Sequence, residues 1–189
     1  MKQPRRKNHD AKQELIMEAA RRIVEKKGIE HLSIRALAAK LECSVGTIYN
    51  YFVDLNSLIL RLNAQTISLL SLALKQGTEK PASATPHALV DAYFDFVAAH
   101  HNLWHTVFTH YPPSKKQLPK WYTEIIEEIV GFAQTALGQN RNITIGLWAA
   151  LHGLTLLDQQ QKLKAVSSGE TPRQIAHALV AAALRQAKP

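Results

Sequence analysis

Cysteine is almost missing from this chain: Cys43 is the single one among 189 residues, so no intrachain disulfide forms and no cysteine-based zinc site exists. Long hydrophobic runs are missing too, none approaching the roughly 18 residues of a membrane span. The opening Met1-Lys2-Gln3-Pro4-Arg5-Arg6-Lys7 is basic, but no apolar stretch follows it, so it does not read as a secretory signal. Neither alternating β-branched runs nor Asn-Gly or Asp-Gly hairpin turns occur. A phosphate-binding glycine loop, a G-x-S-x-G turn and an H-E-x-x-H pair are likewise absent, which removes the commonest enzyme classes; no catalytic residue and no cofactor is expected. What is left is a soluble protein of a reducing compartment.

Hydrophobic residues make up 46% and charged residues 20%, enough apolar material for a packed core in one compact domain or two small ones. The 23 Lys and Arg exceed the 15 Asp and Glu by 8, a balance that permits a polyanionic partner. The excess is uneven. Residues 1–62 hold 12 cations against 7 carboxylates, and residues 63–189 hold 11 against 8. Lys2, Arg5, Arg6, Lys7 and Lys12 crowd the first 12 residues against Asp10 alone, either a solvated tail or an arm lying along a phosphate backbone.

Helical periodicity runs throughout. Asp10, with Gln13 three residues on, is expected to cap a first helix whose stripe is Leu15, Ile16, Ala19, Ala20, Ile23 and Val24, ending at Gly28. Ser33 caps a short second helix facing Ile34, Leu37, Ala38 and Leu41 inward. Ser44 caps a third that ends near Tyr51-Phe52. Asp54 opens a long fourth, with Leu58, Ile59, Leu62, Leu69, Leu70 and Leu72, stopping at Gly77. A polar linker, residues 77–85, precedes the proline start at Thr85-Pro86. Helices follow over Leu89–Val97, from Pro119 to Gly138, from about Asn142 to Lys164, and from Thr171-Pro172 onward, with a short apolar segment at Leu103–Phe108. The expected fold is all-α, with about nine helices: a three-helix helix-turn-helix domain over 1–54, carrying the basic arm, and a second helical domain over 55–189.

The most informative stretch runs from Leu32 to Phe52. Two capped short helices flank the turn Glu42-Cys43-Ser44. Ile48 and Phe52, one turn apart, anchor the second helix and leave Val45, Gly46, Thr47, Tyr49, Asn50 and Tyr51 near the outside. A short helix with small and hydrogen-bonding residues at its N-terminal end suits a DNA major groove. Gly46 lets the helix approach closely. Tyr49, Tyr51, Thr47 and Ser44 can donate to phosphates, and Arg35 is long enough for a guanine edge or a phosphate. Ser33 and Ser44 serve first as caps, and a cap hydroxyl still lies near a phosphate.

The small-residue first helix with Ala19 and Ala20, the run G-I-E-H-L-S-I-R-A-L-A-A-K-L from Gly28, and S-V-G-T-I-Y-N-Y-F from Ser44 closely resemble the DNA-binding domain of the TetR family of bacterial transcriptional repressors. The resemblance covers about Asp10 to Leu60. It implies a cytoplasmic homodimer on a palindromic double-stranded DNA operator, an effector pocket in the C-terminal helices, and DNA contacts at positions matching Arg35, Val45, Gly46, Thr47, Tyr49 and Tyr51. One position departs: the family usually places a phosphate-clamping lysine at the start of the fourth helix, where this chain has Leu55.

Farther on, Ile145-Gly146-Leu147-Trp148-Ala149-Ala150-Leu151-His152-Gly153-Leu154 resembles the Trp…His-Gly signature of one C-terminal subclass of the family. The resemblance implies a mostly apolar pocket and a dimer interface from the last two long helices. Candidate pocket residues are Tyr93, Phe96, Trp104, His105, Phe108, Trp121, Trp148 and His152, with aromatic rings for apolar contact and histidines to orient a polar group; at helical spacing, each ring is also an ordinary core residue. His100, His101, His105 and His110 lie close in sequence, but no cysteine and only Asp95 stands near, so no metal is expected. The function that follows is a ligand-released repressor responding to a small, largely apolar molecule; the alternative is a helical protein that binds DNA non-specifically and has no ligand switch.

Overall fold

The computed structural model describes residues 3–78, 86–110 and 118–186. These residues form nine α-helices and two short 3-10 turns, with no strand among them. They divide into two compact units. The first comprises residues 1–67 and 99–122, the second residues 68–98 and 123–189.

The first unit holds α1 (Gln3–Lys27), α2 (Ile34–Lys40), α3 (Val45–Tyr49), the start of α4 (Leu55–Thr78) and α6 (His101–Thr109). Helix α1 begins seven residues before the Asp10 cap expected from the sequence, with Pro4 in its first turn, where a missing N–H breaks no helical bond. Its buried stripe is Ile16, Met17, Ala19, Ala20 and Val24, while Leu15, expected inside, is 61% exposed. The face is thus shifted by less than one residue, with Met17 taking the place of Leu15 at its edge. Ile34, Leu37 and Ala38 of α2, Ile48 of α3, Phe52, and Leu58, Ile59 and Leu62 of α4 complete the core with Leu103 of α6. The short apolar segment read from sequence at Leu103–Phe108 is this helix. It is tied to α1 by Asn102 Nδ2, which donates to the Glu25 carbonyl at 2.9 Å, with His100 Nδ1 3.5 Å from the Glu25 carboxylate.

The second unit holds the end of α4, then α5 (Pro86–Ala99) up to Ala98, α7 (Lys120–Leu137) from Thr123 on, α8 (Arg141–Gln159) and α9 (Pro172–Gln186). In α4, Leu70 and Leu74 are buried, but Leu72, expected inside, is half exposed. Gly77 permits close approach of α5: a Cβ there would stand 2.9 Å from that of Ala92. Helix α8 starts at an Asn140 cap whose side chain accepts from the Ile143 N–H, and it stops at Gln159, short of the expected Lys164. Helix α9 opens with Thr171 and Gln174 bonded reciprocally, side chain to backbone N–H. Helices α8 and α9 pack on each other; Leu151, Thr155, Ala176 and Val180 are buried, and Ile145, Trp148, Leu157 and Leu179 are exposed. The expected linker over 77–85 and the Tyr111-Pro112-Pro113 break lie largely outside the described residues.

By length and hydropathy alone, α4 is long and apolar enough to cross a membrane, the one such helix among the described residues. Its inward face, Leu58, Leu62, Thr66 and Leu70, is packed inside the protein, and the buried polar residues Asn63, Thr66 and Ser71 lie along it, which makes it a core helix.

Candidate nucleic-acid interface

Local chemistry builds the helix-turn-helix. Ser33 Oγ accepts the Ala36 N–H at 3.1 Å and Ser44 Oγ accepts the Thr47 N–H at 3.1 Å, so each short helix has a side-chain cap. Between them Glu42 takes φ 51°, a left-handed position more usual for glycine. The Cys43 N–H then reaches back to the Ala38 carbonyl at 3.0 Å and the Glu42 N–H to that of Ala39 at 3.3 Å, closing α2 in a Schellman turn. Cys43 is half-buried against the core. Asp54 and Ser57 cap α4 reciprocally, the Ser57 N–H donating to Asp54 Oδ1 at 2.6 Å and the Asp54 N–H to Ser57 Oγ at 3.2 Å.

Helix α3 is held from one side. Ile48 is fully buried and Phe52 nearly so, while Val45, Gly46, Tyr49 and Asn50 are exposed. Tyr49 is 51% exposed, which leaves its ring and hydroxyl clear of the core. Ser44 and Thr47 share a hydroxyl–hydroxyl bond of 2.9 Å, so each keeps only part of its capacity for a further partner. A Cβ on Gly46 would meet nothing closer than Ser44 Oγ at 3.7 Å, so the protein itself does not require glycine there. Arg35 and Ser33 are exposed at the start of α2. Tyr51 is half-buried, its ring 4.6 Å from that of His9 on α1. No motif or spacing marks His9 in the sequence; only the fold brings α1 to the end of α3. Leu55, where the family's lysine is usual, packs against the core and supplies no cation.

The eight aromatic and histidine candidates divide between the units. In the first, Trp104 is buried, with its ring 5.1 Å from Phe108, and His105 stacks on His101 at 6.2 Å. The Nδ1 of His105 is buried and, among the described residues, without a hydrogen-bond partner. Trp121 lies at the surface with the Arg61 guanidinium 5.5 Å from its ring centre. In the second unit, Tyr93 and Phe96 are buried, and Trp148 is half exposed with His152 stacked on it at 6.1 Å. The second unit also has a cleft of ≈ 230 Å³ lined by Ser68, Ser71, Leu72, Lys75, Ile125 and Glu128, none of them among the site residues expected from the sequence. Lys75 and Glu128 pair across it at 2.7 Å. Ser71 Oγ is buried and has no partner among the described residues. No group of three or more His, Cys, Asp or Glu side chains is arranged to hold a metal ion among the described residues.

An all-α chain whose anchored, capped second helix presents small and polar residues outward has the layout of a helix-turn-helix DNA-binding regulator. Residues 16–62 match the family model described as bacterial regulatory proteins, tetR family, and residues 87–183 match a tetracyclin repressor-like C-terminal domain. The chain belongs to the TetR family of DNA-binding transcription regulators. No curated protein matches it in sequence. Among solved structures it is similar to SCO4313, assigned as a regulatory protein (18% identity, 96% of this chain and 99% of that one, TM-score 0.74). It is also similar to the multidrug binding protein EbrR in complex with imidazole (19%, 88% and 93%, TM-score 0.59). A third, assigned as a tetR family transcription regulator from Shewanella sp. PV-4, shares 16% identity over 89% and 95% of the two chains, with a TM-score of 0.60. At these identities the likeness is one of fold.

Proposed function

We propose that the protein is a repressor that acts in the bacterial cytoplasm, binds a palindromic operator as a homodimer and is released by a small, largely apolar ligand. The observation that carries the DNA-reading half is the one-sided anchoring of α3, with Ile48 and Phe52 buried and Val45, Gly46 and Tyr49 outside. In this reading Val45, Gly46 and Asn50 approach base edges, and Ser33, Arg35, Ser44, Thr47, Tyr49 and Tyr51 hold phosphates or edges, with the basic arm as a further backbone contact. DNA reading belongs to residues 1–54, and effector binding and dimerisation to residues 55–189, of the Trp…His-Gly subclass.

The candidate effector contacts are Tyr93, Phe96, Trp104, His105, Phe108, Trp121, Trp148 and His152. The likeness to EbrR, a multidrug binding protein, supports an apolar ligand for this chain. Release is a population shift, which requires that the ligand prefer the DNA-incompetent state. Selection of bound DNA from a random duplex pool, repeated with a panel of small apolar compounds, tests both halves. Recovery of a palindrome that is lost on adding a compound supports the reading. Binding without sequence preference, with a steep salt dependence, sinks it in favour of a non-specific DNA-binding protein.

A further inference from the structure

Within the second unit, α5 and α9 meet through a chain of ionisable groups that neither DNA reading nor an apolar effector uses. His87 Nδ1 of α5 lies 2.8 Å from His177 Nδ1 of α9, the rings 5.0 Å apart between centres. The other nitrogen of His177, Nε2, is 2.9 Å from Asp91 Oδ1. Arg173, one turn before His177, donates to the same Asp91 oxygen at 3.1 Å and also to Asp95 Oδ1. Its guanidinium is 5.8 Å from the Phe94 ring centre. The Asp95 hydrogen bond strengthens its hold on its proton.

Counting hydrogens fixes what this chain tolerates. A carboxylate only accepts, so His177 Nε2 carries a hydrogen. The contact between the two Nδ1 atoms then needs one hydrogen and one lone pair. Three states satisfy it: both rings neutral, with His87 donating to His177; His87 doubly protonated and donating in the same direction; or His177 doubly protonated and donating to His87. A second added proton leaves two N–H groups pointing at each other and two cations in contact. The fixed charges agree. Asp91, Asp95 and Arg173 together carry one negative charge, which balances one proton on the pair and not two. The elements packed around it add Arg141, His152 and Asp158 on α8 and Lys75 on α4; Arg141 and Lys75 are engaged with Glu127 and Glu128.

We propose that the His87–His177 pair is a proton-sensitive brace between α5 and α9, which keeps its bond with no or one added proton and opens when the second binds. The open form binds more protons than the closed one, so the brace is intact at neutral pH and above and is lost as the pH falls through the second step. Below that step the open population rises roughly tenfold per pH unit for one proton. Because α9 also carries Leu179, opening frees a helix of the proposed dimer face; that consequence rests on the reading above, whereas the brace itself does not.

Imidazole NMR of the full-length protein from pH 8 to 5, without DNA or ligand, tests the brace directly. The expected result is two coupled steps seen at both His87 and His177, the lower one accompanied by shifts of α9 amides. A second measurement is the melting temperature against pH for wild type, His87→Asn and the surface control His31→Asn. A carboxamide at 87 occupies the place of Nδ1 but takes up no proton, so His87→Asn is expected to lose the lower step and flatten the acid side of the curve, and His31→Asn is not. Two independent single titrations in the wild type would overturn the proposal, as would a His87→Asn curve parallel to the wild type. If His87→Asn does not fold, the wild-type titration still decides. Loss of operator binding for other reasons leaves both readouts unchanged.

Discussion

Gly46 separates the demands of the fold from those of DNA at a single residue. An added Cβ finds ordinary van der Waals space at 3.7 Å, so Gly46→Ala is expected to leave the melting temperature unchanged or higher, since alanine favours helix by roughly 0.5–1 kcal/mol. The same methyl projects from the exposed side of α3, so operator affinity is expected to fall. Tyr49→Ala, at a half-exposed position, is expected to cost about 1–3 kcal/mol of operator binding with folding intact. Gel-shift titration beside thermal melting reads both; an unchanged affinity in either folded variant removes that residue from the contact set. His110 gives a test of a different kind. Burial holds its imidazole below the ordinary range, and its Nε2 is enclosed. The unfolded chain therefore takes up this proton first, so stability is lost as the pH falls below about 6.5. Denaturant titrations at pH 7.5 and 5.5 are expected to differ less for His110→Gln than for wild type; an equal difference means that His110 is not buried neutral.

Element ends were legible where a side chain closes its own loop. Ser33, Ser44, Asp54 and Thr171 all cap the helices their positions predict, because the bond spans three residues and needs no tertiary help. Two ends fall elsewhere: the Asp10–Gln13 pattern is a false mark inside α1, and α8 stops where no local mark stands. Helix α1 runs back through a polar, basic stretch whose lack of apolar period hides it, and α8 ends at Gln159 with neither glycine nor proline to announce it. Its stop is a backbone motif: the Lys162 N–H bonds the Leu157 carbonyl at 2.8 Å and the Gln161 N–H that of Asp158 at 2.9 Å, with Gln161 held at φ 58°. A left-handed turn costs a residue with a Cβ on the order of 1 kcal/mol, so Gln161→Gly is expected to raise the unfolding free energy by up to about that amount. Urea denaturation with an unchanged m-value checks it, and a loss of stability would mean that the exposed side chain contributes more than the strain. At the site the same division holds. The residues of α3 were named from local pattern, whereas His9 beside Tyr51 and the Ser71–Lys75–Glu128 cleft arise only when separate helices meet.

In the proposed dimer two copies of α3 stand roughly 34–36 Å apart about a two-fold axis, because a single one reads too few bases for useful selectivity. In that reading the symmetry comes from a surface that the monomer does not use. Helices α8 and α9 pack together, with Leu151, Thr155, Ala176 and Val180 buried and Ile145, Trp148, Leu157 and Leu179 exposed, an apolar set that marks a candidate interaction surface. The small residues Ala178, Ala182 and Ala183 on α9 allow close helix packing, so pairing α8 and α9 with their counterparts in a second copy would form a four-helix interface. Leu179 is 39% exposed, so glutamate there faces water in a monomer and a desolvated partner in a dimer. Leu179→Glu with Ala183→Glu is therefore expected to keep the helical circular dichroism while sedimenting at half the wild-type mass. Operator affinity should drop on the order of a hundredfold, because the second half-site is no longer bound from a linked position. An intact dimer in that folded double variant would place the interface elsewhere, and a wild-type monomer in solution that still recognises a palindrome would mean that DNA itself assembles the pair.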